Sequence, residues 1–157
     1  RKSLYNVPKF EHKLDKFEAG VYTPSATELT YDTLLQKARQ VLENGDSVIL
    51  DASFMRYPHR KAAWELAQEF SAPFRIVHCT APDHVVQARL EERQLRKDEP
   101  SDGRWDIYCE QKTHFEPMRP EEQAVLRVWD STTDLHAFLR SLVTELMWPS
   151  HSDVSLF

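Results

Sequence analysis

The chain has 157 residues, 41% of them hydrophobic and 29% charged, which suits one domain with a core of its own and excludes disordered, collagen-like and membrane-spanning classes. A net charge of −5 excludes the large basic footprint of broad, non-specific nucleic-acid binding, while leaving room for a local basic patch. No apolar run approaches the roughly 20 residues of a spanning helix and RKSLYNVPKF at the start has no signal-peptide core, so the expectation is a cytoplasmic protein that makes no membrane contact.

Val7, Phe10, Leu14 and Phe17 fall at helical spacing around Pro8, and 18–24 (EAGVYTP) reads as a loop. Ser25 and Glu28 form a capping box that opens a helix. Leu34, Leu35, Ala38, Val41 and Leu42 give that helix one apolar stripe, and Asn44 with Gly45 supplies its left-handed stop. A first strand is predicted over 47–52, where Val48, Ile49 and Leu50 form an apolar run that Asp51 ends. Pro58 suits the first turn of a second helix, with Ala62, Ala63, Leu66, Ala67 and Phe70 on its buried face. A second strand covers 74–79 (FRIVHC) and leaves Cys79 as a buried free thiol. A third helix starts at Pro82, turns Val85, Val86 and Leu90 inward and runs to about Lys97. Residues 98–103 (DEPSDG) are turn chemistry, and a fourth helix follows over 104–115 until Pro117 and Pro120 close it. Val125 to Trp129 make a third strand. Ser131 and Asp134 open a last helix striped by Leu135, Phe138, Leu139, Leu142, Val143 and Leu146.

Strands separated by helices imply crossover connections and a parallel sheet. The expected fold is α/β, three-layered, with helices on both faces of the sheet, in a single domain over 1–148 followed by a tail at 149–157. Three strands are few for such a sheet.

Ligands collect at the carboxyl ends of strands in open α/β sheets, and Asp51 is expected there. Its carboxylate reads either as a magnesium-binding acid next to Ser53, Arg56 and Arg60, or as a cap on the following turn. Arg89, Arg93 and Arg96, spaced i, i+4 and i+7, share one helix face. They read either as guanidinium forks for phosphate oxygens or as a solvated face paired with Glu91 and Glu92. The seven histidines show no metal-ligand spacing, and two cysteines, Cys79 and Cys109, are too few for a disulfide framework or a zinc site. Gly20, Gly45 and Gly103 are the only glycines and lie far apart, so no phosphate-cradling loop is encoded in these residues.

Three stretches together carry a family resemblance. They are GVYTPSATELTYDTLLQKARQVLENGDSVILDASFMRYPHRKAAWELA, FRIVHCTAPDHVVQARLEER and SDGRWDIYCEQKTHFEP. In register over about 19–130, they resemble the P-loop kinases of the AAA_33 type, akin to polynucleotide kinases and zeta-toxin-like enzymes. The resemblance implies a P-loop NTPase-like fold and a kinase that moves a phosphoryl group from ATP to a hydroxyl, with magnesium. It implies Asp51 as the acid serving magnesium, and Arg89 and Arg93 as lid residues over the phosphates. Gln111 and Glu116 fall in the stretch after that lid. Tyr22, Thr23, Thr27 and Tyr31 would line the acceptor side, with Ser53, Arg56 and Arg60 nearby. The acceptor would be a small molecule or a nucleic-acid 5′ end. The family's GxxGxGK[ST] loop and the aspartate after it are not here, and the central strand that precedes this loop is expected to be absent. The alternative is a degenerate, non-catalytic kinase fold that binds a partner.

Overall fold

The computed structural model describes residues 23–95 and 103–147. In chain order these form α1 (Pro24–Glu43), α2 (Tyr57–Glu69), β1 (Ile76–Thr80), α3 (Asp83–Gln94) and α4 (Trp105–His114). A 3-10 turn at Pro120–Glu122, β2 (Leu126–Asp130) and α5 (Leu135–Met147) complete the order. The helical spacing in 1–18, the loop up to Tyr22, Arg96 and the tail after 148 lie outside the described residues. No described helix is long and apolar enough to cross a membrane.

The start of α1 corrects the predicted capping box. Thr23, not Ser25, is the N-cap, and its Oγ1 accepts from the Ala26 N–H at 3.3 Å. Pro24 decides this, because its missing N–H costs nothing in the first helical turn. Glu28 is then too far along the helix to close a box. The other end follows expectation: Gly45 at φ 79° donates to Leu42 O at 2.9 Å, and Asp46 donates to Val41 O at 3.2 Å, a Schellman stop. α2 ends the same way without a glycine. Ser71 at φ 49° donates to Gln68 O, and Ala72 to Ala67 O, so a left-handed L-residue is held there at a cost of roughly 1–2 kcal/mol.

β1 and β2 run parallel, in register from Ile76 beside Leu126 to Thr80 beside Asp130. Ile76 N–H donates to Val125 O at 2.9 Å, and Ser131 N–H donates to Thr80 O at 2.8 Å. Backbone groups alternate along a strand, so those of Val77 and Cys79 point to the opposite edge of β1. No described segment pairs with that edge. The predicted strand over 47–52 is therefore corrected: the apolar run is there, but it joins no ladder, and Ile49 is 92% exposed. A strand needs a neighbour to satisfy its backbone, and among the described residues none stands beside this one. Among the described residues the sheet has two strands, not three.

Helical segments still approach the sheet from two sides. On one face Trp129 stacks on Phe138 of α5 at 5.9 Å, and Glu145 of α5 accepts from Arg75 at 2.5 Å and also from Arg127. On the other face His78 stacks on Phe115, next after α4, at 5.3 Å. Two further expectations change. Cys79 is exposed, because it borders the unpaired edge of β1. The stripe on α5 is only partly covered: Leu135, Leu139 and Val143 are exposed, and no residue of that helix is buried. The core lies instead between α1 and α2. Ala26, Tyr31 and Ala38 supply one side of it, and Ala63, Leu66 and Ala67 the other.

Candidate functional site

The segment that follows Asp51 is fixed by α2. Arg60, 2% exposed, donates from Nε and Nη2 to the two carboxylate oxygens of Glu122, at 2.6 and 3.1 Å. Its Nη1 donates to the carbonyls of Phe54 and Met55 at 3.1 and 3.2 Å, and Nη2 to that of Pro117 at 3.3 Å. A guanidinium has five N–H donors, and all five are used. Arg60 thus ties 54–55 to 117–122 and leaves no donor for a phosphate. Burial pushes the Glu122 carboxyl up, but the Arg60 bonds and the Arg119 N–H together hold it below the usual carboxylate range. The same two segments meet again where Glu116 N–H donates to Met55 O and Glu116 Oε2 accepts from Tyr57 N–H.

A second set of contacts comes from α1. The ring of Tyr31 stacks on that of His59 at 3.8 Å and 15°, and His59 Nε2 lies 3.0 Å from Glu28 Oε1. The Tyr31 hydroxyl accepts from the Phe54 N–H at 2.9 Å and lies 3.4 Å from Ser53 Oγ. Phe54 sits at φ 43°, a conformation that an L-residue keeps only when its surroundings impose it.

Asp51 itself is exposed, and its carboxylate accepts no hydrogen bond among the described residues. Partial burial raises the otherwise exposed Cys79 thiol, and the charge of Asp51 adds to that rise, so the acid acts electrostatically on the carboxyl end of β1. Arg89 of α3 reaches the end of β2: Nη1 donates to Ser131 Oγ at 2.7 Å and Nη2 to Ser131 O at 3.1 Å. The adjacent Asp130 carboxyl is held low by the backbone and hydroxyl of Thr132, and in smaller part by Arg89. Residues 79 and 129, and 80 and 130, are side by side, so Asp51 and Arg89 occupy the same end of the sheet. That end is where α/β sheets collect ligands. Arg93 lies one turn further along α3, exposed, in its last turn.

The remaining predicted positions scatter more. Thr23 caps α1, and Thr27 follows one turn later. Arg56 is the exposed N-cap of α2. Gln111 is on α4, and Tyr22 lies outside the described residues. No group of three or more potential metal ligands occurs among the described residues. Magnesium carried by a nucleotide needs only one or two carboxylates, with phosphate and water filling the rest, and a single exposed Asp51 is compatible with that demand. Sequence reasoning missed Glu122, His59 and Glu28 as parts of this region. Only the short spacing from Glu28 to Tyr31, one helical turn, was there to be read; their hydrogen-bond partners lie 31 and 23 positions away, His59 on α2 and Phe54 in the loop before it.

A family model described as an AAA domain, AAA_33, matches residues 6–118. No curated protein and no solved structure gives a significant match.

Proposed function

The chain belongs to the AAA_33 family of AAA domains, with the nucleotide-binding, P-loop NTPase-like character of that class, and from this premise we propose that it carries the acid and lid part of an ATP-dependent kinase. The reading is carried by Asp51 and Arg89, whose charges act on Cys79 and Asp130 at one end of the parallel strands, the first with no hydrogen-bond partner among the described residues. Asp51 serves the magnesium of the nucleotide, which supplies charge neutralisation on the phosphates when bound. Arg89 and Arg93 face the transferring phosphate, where guanidinium forks match its oxygens. Arg56, Ser53, Thr23 and Thr27 serve the acceptor side in this reading. Arg60 acts differently: its donors are spent on Glu122 and three carbonyls, so it shapes the loop and does not touch substrate. Catalysis is positioning and electrostatics, as in phosphoryl transfer generally.

The three glycines of these residues are far apart and encode no phosphate loop, so the kinase reading requires that loop from other polypeptide. These 157 residues by themselves are accordingly expected to show no ATP hydrolysis. The same scarcity of glycine favours the second reading, a kinase fold that binds a partner without catalysis. Radiolabelled ATP with magnesium separates the two. The full-length protein as encoded is offered a 5′-hydroxyl oligonucleotide, a nucleoside and a sugar. Transfer of label that is lost in Asp51→Asn supports the kinase; no transfer, or transfer indifferent to that substitution, leaves the binding module. The acidic net charge favours the small molecules over the oligonucleotide.

A further inference from the structure

The loop that presents Asp51 has no regular structure of its own and contains an L-residue in the left-handed region, Phe54 at φ 43°. Nothing in the sequence of that loop requires such a conformation, since neither glycine nor asparagine stands there. Arg60 of α2 holds the carbonyl side of Phe54, and a side chain from α1 holds its N–H side. The Tyr31 hydroxyl accepts from the Phe54 N–H at 2.9 Å and stands 3.4 Å from Ser53 Oγ. Its ring is held between that of His59, at 3.8 Å, and that of Phe54, at 5.2 Å. His59 is buried and is itself oriented by Glu28 at 3.0 Å. The chain of contacts thus runs from α1 through α2 to the residue three positions after Asp51.

We propose that Tyr31 is a positioning residue for the Asp51–Phe54 loop, its hydroxyl capping the Phe54 N–H so that Asp51 and Ser53 are held where the reaction needs them, with His59 and Glu28 fixing the ring. This inference rests on the kinase reading above. Tyr31 orders the groups that touch nucleotide and acceptor, and carries no proton or phosphoryl group itself. A 1 Å displacement of a reacting group is enough to cost a kinase about 100-fold.

Tyr31→Phe removes the hydroxyl and keeps both ring stacks. In the 157-residue chain, the amide of Phe54 should exchange with solvent about fivefold to tenfold faster, as expected for one lost hydrogen bond, with the melting midpoint moved by no more than about 4 °C. In the full-length protein, Asp51-dependent transfer should fall about 10- to 100-fold in kcat with KM for ATP unchanged. Unchanged Phe54 exchange overturns the capping contact, whatever the enzyme does. Faster exchange with unchanged kcat overturns the positioning role and leaves a merely structural bond. If the wild-type protein transfers no phosphate, the kinase reading fails and this role with it, while the exchange result still reports on the contact alone.

Discussion

Two regions of this molecule are built to different standards. In the corner where α1 and α2 meet the 115–122 segment, polar and apolar groups alike are satisfied. Arg60 and Glu122 are 2% and 1% exposed and bonded through every guanidinium donor. Along β1 the opposite holds. One edge has no strand partner among the described residues, Ile49 and Val128 are 92% and 58% exposed, and the Trp129 indole N–H is buried without an acceptor there. The corner is closed among the described residues, whereas one edge of β1 has no strand beside it there. The Asp51 loop spans the two, anchored by the complete region and facing the open one.

The contrast breaks most sharply at the buried ion pair. Glu122→Ala strands the Arg60 guanidinium in the interior, and removing one partner of such a pair costs about 3–5 kcal/mol. Urea denaturation should show it as a large fall in midpoint; a loss below about 1 kcal/mol would mean that water reaches the pair. Next come matched truncations in the two regions. Leu66→Ala, in the α1–α2 core, should cost about 2–5 kcal/mol, while Val128→Ala on the exposed sheet face should stay within about 0.5 kcal/mol. Equal costs would erase the distinction between the regions.

Acid sharpens it further. Glu145 is held below the usual carboxylate range by Arg127, against a contribution from burial, and by Arg75; Glu122 is lowered as well. A carboxylate whose folded pKa is depressed leaves the unfolded chain binding more protons, so stability is present above about pH 5 and is lost as pH falls through the folded values. Thermal melts of Glu145→Gln should show a shallower acid limb than the wild type and little change near pH 7 in its slope. The smallest effect belongs to Ile49→Ser. In this chain it should change stability by no more than about 0.5 kcal/mol. In the full-length protein, where a strand beside 47–52 would cover residue 49, the cost should grow to about 1–3 kcal/mol.

What could be read from sequence follows the range of the interactions. The Gly45 stop, the start of α2 and the end of α4 depend on residues a few positions apart, and Gly45, Pro58 and Pro117 mark them directly. Ser25–Glu28 misplaces the start of α1, because the fixed φ of Pro24 suits the first helical turn and makes Thr23 the cap. The apolar run before Asp51 was legible, but pairing is not a property of a run, and its neighbour is not among the described residues. The Arg60–Glu122 pair bridges 62 positions, and the sequence offered Arg60 only as a cation near Asp51, with no sign of a buried partner. Phe54 and Ser71 gave no sign of left-handed backbone, because that conformation is imposed on them by contacts and is not intrinsic to their type.

Amide hydrogen exchange along β1 tests the central claim, that the edge carrying the Val77 and Cys79 amides has no strand beside it among the described residues. In the 157-residue chain, Val77 and Cys79 should exchange at least about 100-fold faster than His78 and Thr80, and should become as slow as those neighbours in the full-length protein. Equal protection of all four amides in the 157-residue chain would contradict the account.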